Sequence, residues 1–347
     1  MQIIKTAICS FGMSGHLFHA PFLHLHKGFE LYGVWERSKK IAAQKYPGIK
    51  SFDTYEALLN DKAIELVIVN TPNYTHFDYA QKALLAGKNV IVEKPFCLTV
   101  KECDDLIALA KEKKKMLSVY QNRRYDSDFK IIKKVVDENL LGEIVEAEFH
   151  FDRYKEELSP KQHKETPGPG TGLLYDLGAH LIDQALCLFG MPHSIFADID
   201  IVRKISLVDD YMELILFYSN LRVRIKASYV VREALPSYIL HGTKGSFIKP
   251  RTDVQELALQ NGLTPDAKDW GKEPENEKGL LHTEKDGNVI REYLPSENGN
   301  YMEYYNGIYQ SLTAGAGLPV SAEEGKNVIA IIEKAYQSNK EKKVVQV

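Results

Sequence analysis

The chain has 347 residues, with 44 Lys and Arg against 47 Asp and Glu and a formal net charge of −3 at pH 7. At roughly 100 to 200 residues per domain the length implies about two domains. The slight acidic balance leaves no cation surplus for a phosphate backbone, so nucleic acid is excluded as an expected partner. No apolar run approaches the roughly 18 to 20 residues that span a bilayer, and the first residues lack a basic start and a small-residue cleavage site. A cytoplasmic address without membrane attachment is the expectation. The four cysteines show no CxxC pair and no Cys/His zinc spacing, which predicts reduced structural thiols and no metal.

The first third alternates short β-branched runs with helical patterns, the signature of a doubly wound parallel sheet in an α/β fold. Strands are predicted at 3–10, 29–35, 66–70, 90–93 and 116–120. Helix starts are marked by Asp53 with Glu56 and by Thr99 with Glu102, both spaced as capping boxes. Gly28 and Gly87 stand where helices are expected to stop. Near residue 122 the rhythm changes. A helix is predicted over 126–140, with Phe129, Ile132, Val136 and Leu140 on one stripe.

Alternation then predicts antiparallel strands with one buried face, through Val145, Ala147, Phe149 and Phe151 and again through Leu221, Val223, Ile225 and Ala227. A helix is expected over 172–189 between those strands. The stretch 251–300, rich in Gly, Pro, Asn and charge, reads as a long loop with little regular structure. Helices over 301–314 and 322–340 close the chain. The domains are therefore expected at 1–122 and 123–347, the second α+β with a largely antiparallel open sheet.

Three groups of residues carry chemistry. Ser10-Phe11-Gly12-Met13-Ser14-Gly15 lies between a strand and a helix. In such a G-x-G-x-x-G turn the middle glycine admits a pyrophosphate to the backbone and the last lets helix and strand pack closely; here Ser10 replaces the first glycine. Glu36 follows the second strand, where a carboxylate accepts from adenine-ribose hydroxyls and repels a 2′-phosphate, favouring NAD. Arg37 and Ser38 beside it can hold that phosphate if Glu36 turns away, which keeps NADP open. Glu93-Lys94-Pro95, and Thr71-Pro72-Asn73 with His76, follow two further strands and should face the same crevice.

Together with Phe18-His19-Ala20-Pro21, Asn122-Arg123-Arg124-Tyr125 and Asp176-Leu177-Gly178-Ala179-His180, these strings resemble the glucose-fructose oxidoreductase/inositol dehydrogenase family, Gfo/Idh/MocA. The resemblance covers essentially the whole chain. Phe18-His19-Ala20-Pro21, the segment 120–126 and Gly245-Ser246-Phe247-Ile248-Lys249 are most similar to its scyllo-inositol dehydrogenase branch. It implies an N-terminal Rossmann domain and NAD(P)-dependent oxidation of a secondary alcohol on a cyclic polyol or sugar. Lys94 matches the family's catalytic lysine, and Asp176 and His180 match its D-x-x-x-H pair.

Four-residue spacing on a helix puts acid and imidazole on one face, where the carboxylate can orient the ring and the ring can take a hydroxyl proton. Asp183 continues that face as structural support. Thr71, Asn73, His76 and Glu93 are expected near the nicotinamide ribose, with Pro72 in the same turn, and Asn122 and Tyr154 at substrate hydroxyls. Glu36-Arg37-Ser38 departs from the small polar residues and Arg that suit NADP in the scyllo-inositol branch. The resemblance also implies a homo-oligomer, dimer or tetramer, through the open sheet, for which Tyr211, Leu214, Leu216 and Tyr218 are candidate contacts. Two other readings share the fold: a nucleotide-binding sensor, against which the retention of Lys94, Asp176 and His180 speaks, and an NAD-dependent glycoside hydrolase.

Overall fold

The structure is a computed structural model that describes residues 2–36 and 40–347, with only the backbone described at 162 and 163. Arg37, expected at the cofactor, lies outside the described residues together with Ser38. The chain divides into two compact units. The first comprises Met1–Asn122, Gln255–Trp270 and Asn300–Lys326, the second Arg123–Val254, Gly271–Gly299 and Asn327–Val347. An uninterrupted division at residue 122 therefore omits two later segments that return to the first unit.

The first unit is built on six parallel strands, β1 (Ile4–Ile8), β2 (Phe29–Trp35), β3 (Lys50–Phe52), β4 (Leu66–Val69), β5 (Asn89–Glu93) and β6 (Leu117–Tyr120), in the order β3-β2-β1-β4-β5-β6. The order reverses between β1 and β4, and ligands bind at such a switch point outside the carboxyl ends of the strands. All four β4 residues, Leu66 to Val69, are fully buried, as expected of a central parallel strand covered on both faces. Helices Tyr55–Asn60, His76–Leu85 and Val100–Lys113 connect the strands.

The Thr99 capping box forms, its hydroxyl accepting from the Glu102 amide. At the earlier helix the cap is Thr54, accepting from the Ala57 amide at 3.0 Å, rather than Asp53, whose carboxylate instead pairs with Lys40. Gly28 does not end a helix either: helix Ala20–Leu25 stops at His26, and a side chain at 28 would overlap the Tyr309 ring. That ring belongs to helix Met302–Ala314, whose Tyr304 and Tyr305, with Tyr301 just before it, are fully buried in the first unit against Phe18, Phe22 and Tyr120.

The second unit holds β7 (Ile144–His150), β8 (Ser194–Asp200), β9 (Tyr211–Phe217), β10 (Arg222–Ser228), β11 (Tyr238–Gly242), β12 (Gly245–Lys249), β13 (Gly279–Lys285), β14 (Asn288–Leu294) and β15 (Val345–Gln346). They form one sheet in the order β14-β13-β12-β11-β7-β10-β9-β8-β15. Among the described residues of this sheet only β7 and β10 pair in parallel; the other pairs are antiparallel. Helix Ala179–Phe189 packs on β7 and β10.

The face under this helix takes Met212, Leu214 and Leu216, all fully buried, while Tyr211, Glu213, Ile215 and Phe217 occupy the opposite face, half-buried. Leu214 and Leu216 are therefore core residues and not part of an outward patch, since period-two alternation puts positions three apart on opposite faces. The stretch 251–300 is also more regular than expected: it contains helix Val254–Gln260 and the β13–β14 hairpin. The hairpin turns at Asp286-Gly287, both with positive φ (52° and 76°), the geometry that Asp-Gly favours between antiparallel strands. Among the described residues no helix is long and apolar enough to cross a membrane. None of Cys9, Cys97, Cys103 and Cys187 forms a disulfide, and burial pushes Cys9 up to about 12, away from thiolate chemistry.

Candidate active site

The turn after β1 is closed by Gly15, where a side chain would overlap the Ser10 carbonyl and crowd Asn70. Asn70, at the end of β4, donates from Nδ2 to that carbonyl at 2.7 Å and ties the two switch-point strands together. A Cβ at Gly12 would meet only Ser10 Oγ, at 3.5 Å, so the outer surface of the turn is bare backbone. Ser10 has no positive φ and its hydroxyl accepts from the Gly12 amide at 3.3 Å, which explains why serine serves at the first glycine position.

Beside the turn lies a cleft of about 370 Å³ lined by Ser10, Phe11, Gly12, Trp35, Glu36, Ile41, Thr71, Pro72, Tyr74 and others, within the usual range for small-molecule sites. A bare glycine turn and a flanking cleft with a carboxylate in its lining fit a nicotinamide dinucleotide. Glu36 is nine-tenths buried, and its two oxygens accept from the Ile41 and Ala42 amides at 2.9 and 3.1 Å, at the start of helix Ala42–Lys45. The acid thus has structural work of its own at the cleft wall. Met13 is exposed, and Ser14 Oγ lies 3.4 Å from Asn70 Nδ2.

At the carboxyl end of β5, Lys94 begins a turn through a cis Lys94–Pro95 bond. The Glu93 carboxylate accepts from the Lys94 amide at 3.1 Å and lies 3.0 Å from His19 Nε2. Burial raises the Glu93 carboxyl, but the hydrogen bond and charge of His19, with Lys94 and Ser14, outweigh it and hold the group below the usual carboxylate range. His76 is fully enclosed, with Nδ1 2.8 Å from the Pro95 carbonyl and Nε2 2.9 Å from that of Thr71. Desolvation is the largest influence on its ring and lowers its basicity despite those carbonyls. His76 ties two strand-end turns together through their backbones. Thr71 and Thr75 share a hydrogen bond of 2.7 Å across the turn that begins at Asn73.

In the second unit Asp176 sits in a widened helical turn, Leu174–Gly178, and His180, 6% exposed, opens helix Ala179–Phe189. Both Asp176 oxygens accept from Lys164 Nζ, at 2.7 Å each. This lysine was not a sequence candidate, because it lies in the polar segment 155–171 with no motif around it. Asp183 receives a bidentate grip from Arg124, at 2.8 and 2.7 Å. Tyr154 is 39% exposed, donates to Glu156 and lies under the Arg232 guanidinium. Burial lowers the basicity of its neighbour Lys155 and raises the Tyr229 phenol, with the Asp176 charge a smaller influence on each. Asn122 is buried at the head of a short 3-10 turn.

Phe11, Gly12, Glu36, Thr71 and Pro72 thus line one cleft, while Glu93, Lys94 and His76 meet at the neighbouring strand end of the same sheet edge. Asp176 and His180 belong to the second unit. Among the described residues no group of three His, Cys, Asp or Glu side chains is disposed to hold a metal.

The arrangement of the first unit defines a dinucleotide-binding oxidoreductase. Residues 4–121 match the model of the oxidoreductase family's NAD-binding Rossmann fold and residues 133–347 that of its C-terminal alpha/beta domain. The chain belongs to the Gfo/Idh/MocA family and is an oxidoreductase of it. It is 39% identical over 345 residues to the scyllo-inositol 2-dehydrogenase (NADP(+)) IolW of Bacillus subtilis, covering 99% of this chain and 96% of that protein. A shorter match, 32% over 145 residues and 40% of this chain, is to 43% of the inositol 2-dehydrogenase of Salmonella paratyphi B. Among solved structures, a Bacteroides fragilis protein superposes with a TM-score of 0.92 at 47% identity over the whole of both chains. An oxidoreductase from Bacillus cereus gives 0.91 at 32% identity, covering 100% and 99%.

Proposed function

We propose that this protein transfers hydride between a secondary alcohol of a cyclic polyol or sugar, inositol-like in class, and a nicotinamide dinucleotide. The observation that carries the reading is Lys94: it stands at the carboxyl end of β5, on the same edge of the parallel sheet as the bare Gly12 backbone, with its amide fixed by Glu93. The dinucleotide, held along Phe11, Gly12, Met13, Ser14 and Gly15 and beside Thr71, Asn73 and Glu93, supplies the hydride acceptor. His180 takes the hydroxyl proton in the oxidative direction, Lys94 stabilises the developing alkoxide, and Asp176 with Lys164 sets the local charge. Asn122 serves hydroxyl recognition, as does Tyr154 or its neighbour Lys155.

Lys94→Met and His180→Ala should each slow single-turnover hydride transfer by about 10² to 10⁴-fold, while nucleotide binding, read by nicotinamide fluorescence, stays within a few-fold. Near-normal turnover in both would overturn the assignment. A screen of inositols and aldoses, followed by reduced-nicotinamide absorbance, separates this reading from a sensor, which binds without turnover, and from a glycosidase, which releases an aglycone with no net cofactor change.

NAD(H) is the proposed carrier on the strength of the Glu36 charge. NADP(H) is the second reading, favoured by the engagement of both Glu36 oxygens with the Ile41 and Ala42 amides and by the NADP(+) named for the B. subtilis relative. Running the screen with both cofactors decides between them. A homo-oligomer is proposed through the sheet face that carries Tyr211, Ile215 and Phe217, and a sedimentation mass of one chain would remove it.

A further inference from the structure

His19 has no part in the reading above, yet it is fully buried and its ring touches the carboxylate that precedes Lys94. Four elements of the first unit surround it. Helix Met302–Ala314 brings the Tyr305 hydroxyl to 2.7 Å from Nδ1, and β6 brings the Tyr120 ring to 4.6 Å between centroids. β5 brings Glu93 Oε1 to 3.0 Å from Nε2. The fourth element is its own helical turn: the Phe18 carbonyl accepts from both Tyr305 and Tyr120, so the two phenols that wall the ring are themselves fixed. Lys94, which follows Glu93 in sequence, and Ser14 of the glycine turn also act on it, and the Glu93 charge in turn reaches His76 and Tyr305.

We infer that His19 is a positioning residue for Lys94: its Nε2–H donates to Glu93 Oε1, keeps that carboxyl ionised, and so leaves Oε2 to hold the Lys94 amide. The chemistry requires it. An ionised carboxylate 3.0 Å from a ring nitrogen is tolerated only if that nitrogen carries the proton. A carboxyl buried in this way, without a donor, takes up a proton more readily, and a protonated Glu93 turned to another acceptor loosens the amide next to it. Tyr305, which is 286 residues from His19 in sequence, sets the ring plane through Nδ1. The inference rests on the proposed role of Lys94 and adds to it a residue that touches neither substrate nor cofactor.

The test has two parts. In wild-type protein labelled with ¹⁵N-histidine at pH 7.5, with His19 assigned through its backbone, Nε2 should show the shift of a protonated nitrogen. A bare Nε2 overturns the inference, whatever any variant does. In His19→Leu, which removes the donor, the acid limb of the kcat profile should move up by at least one pH unit, a tenfold loss on that limb, with KM for the nicotinamide dinucleotide changed less than threefold. Adding Glu93→Gln should abolish the limb. A His19→Leu profile that superimposes on wild type, with lowered thermal stability only, also overturns it. If His19→Leu fails to fold, the nitrogen shift decides alone. An active Lys94→Met protein would remove the functional reading while leaving the His19 nitrogen shift untouched, so the two failures are distinguishable.

Discussion

Two carboxylates flank the two groups proposed to react, Lys94 and His180, and they are held in opposite ways. Glu93, next to Lys94, is gripped by a histidine with a fully buried side chain, and its own side chain is 12% exposed. Asp176, four residues before His180, is gripped by Lys164 from the four-residue helix Gln162–Glu165, with the two side chains 36% and 22% exposed. The first pair is anchored in the interior of a parallel sheet unit; the second reaches water and hangs from a short surface element. A buried pair fixes a backbone at the cost of being fragile to the loss of either member. A half-exposed pair adjusts, and is screened by salt.

Removing a partner should break that contrast open. Glu93→Ala leaves His19 buried with no acceptor at Nε2 and should destabilise the protein by about 3 kcal/mol or more, read as a lower midpoint in urea. A loss below about 1 kcal/mol would show that the two pairs are equivalent after all.

Acid comes next in size. Because the Glu93 carboxyl is held below its ordinary value, its stabilising effect is fully present above the unfolded-state range, near pH 4.3, and is lost as pH falls through the lower folded-state value. Urea midpoints should therefore fall more steeply below about pH 4 in wild type than in Glu93→Gln. Parallel curves would remove Glu93 as a source of acid sensitivity.

The smallest effect is expected at the other carboxylate. Lys164→Met should cost less than about 1 kcal/mol, since the pair is partly solvated, yet it should change how hydride transfer responds to ionic strength. Wild-type turnover should vary between about 0.02 and 0.5 M salt as the pair is screened, and the variant should vary less. Identical salt responses would show that Asp176 acts without Lys164.

The sequence made the contents of the site legible more fully than their connections. The turn at Gly12 and Gly15, the strand ends at Thr71 and Glu93 and the alternation of β7 and β10 are local patterns, and local patterns survive in a linear reading. Partners across long separations do not. Nothing near His19 announces Tyr305, and nothing near Asp176 announces Lys164. Glu36 was legible as a carboxylate at the right distance from Gly15, but its use at the start of helix Ala42–Lys45 depends on how the chain curls back after β2.

Two other misreadings were avoidable. Asp286-Gly287 between apolar runs is a hairpin signal that the surrounding polar composition of 251–300 obscured. Parity alone separates Tyr211 from Leu214. The cap at Thr54 in place of Asp53 is a choice between adjacent residues with equal capping chemistry, settled by which one precedes the first helical turn.

The return of residues 300–326 to the first unit bears on how such a protein can evolve. Tyr301, Tyr304 and Tyr305 are fully buried in a unit most of whose core lies within residues 4–120. A recombination event that joined residues 1–122 to a different partner would strip those three aromatic rings from the nucleotide-binding half and expose the surface they cover. The nucleotide-binding half is therefore not an independent cassette ending at residue 122, because such a cut removes part of its own core.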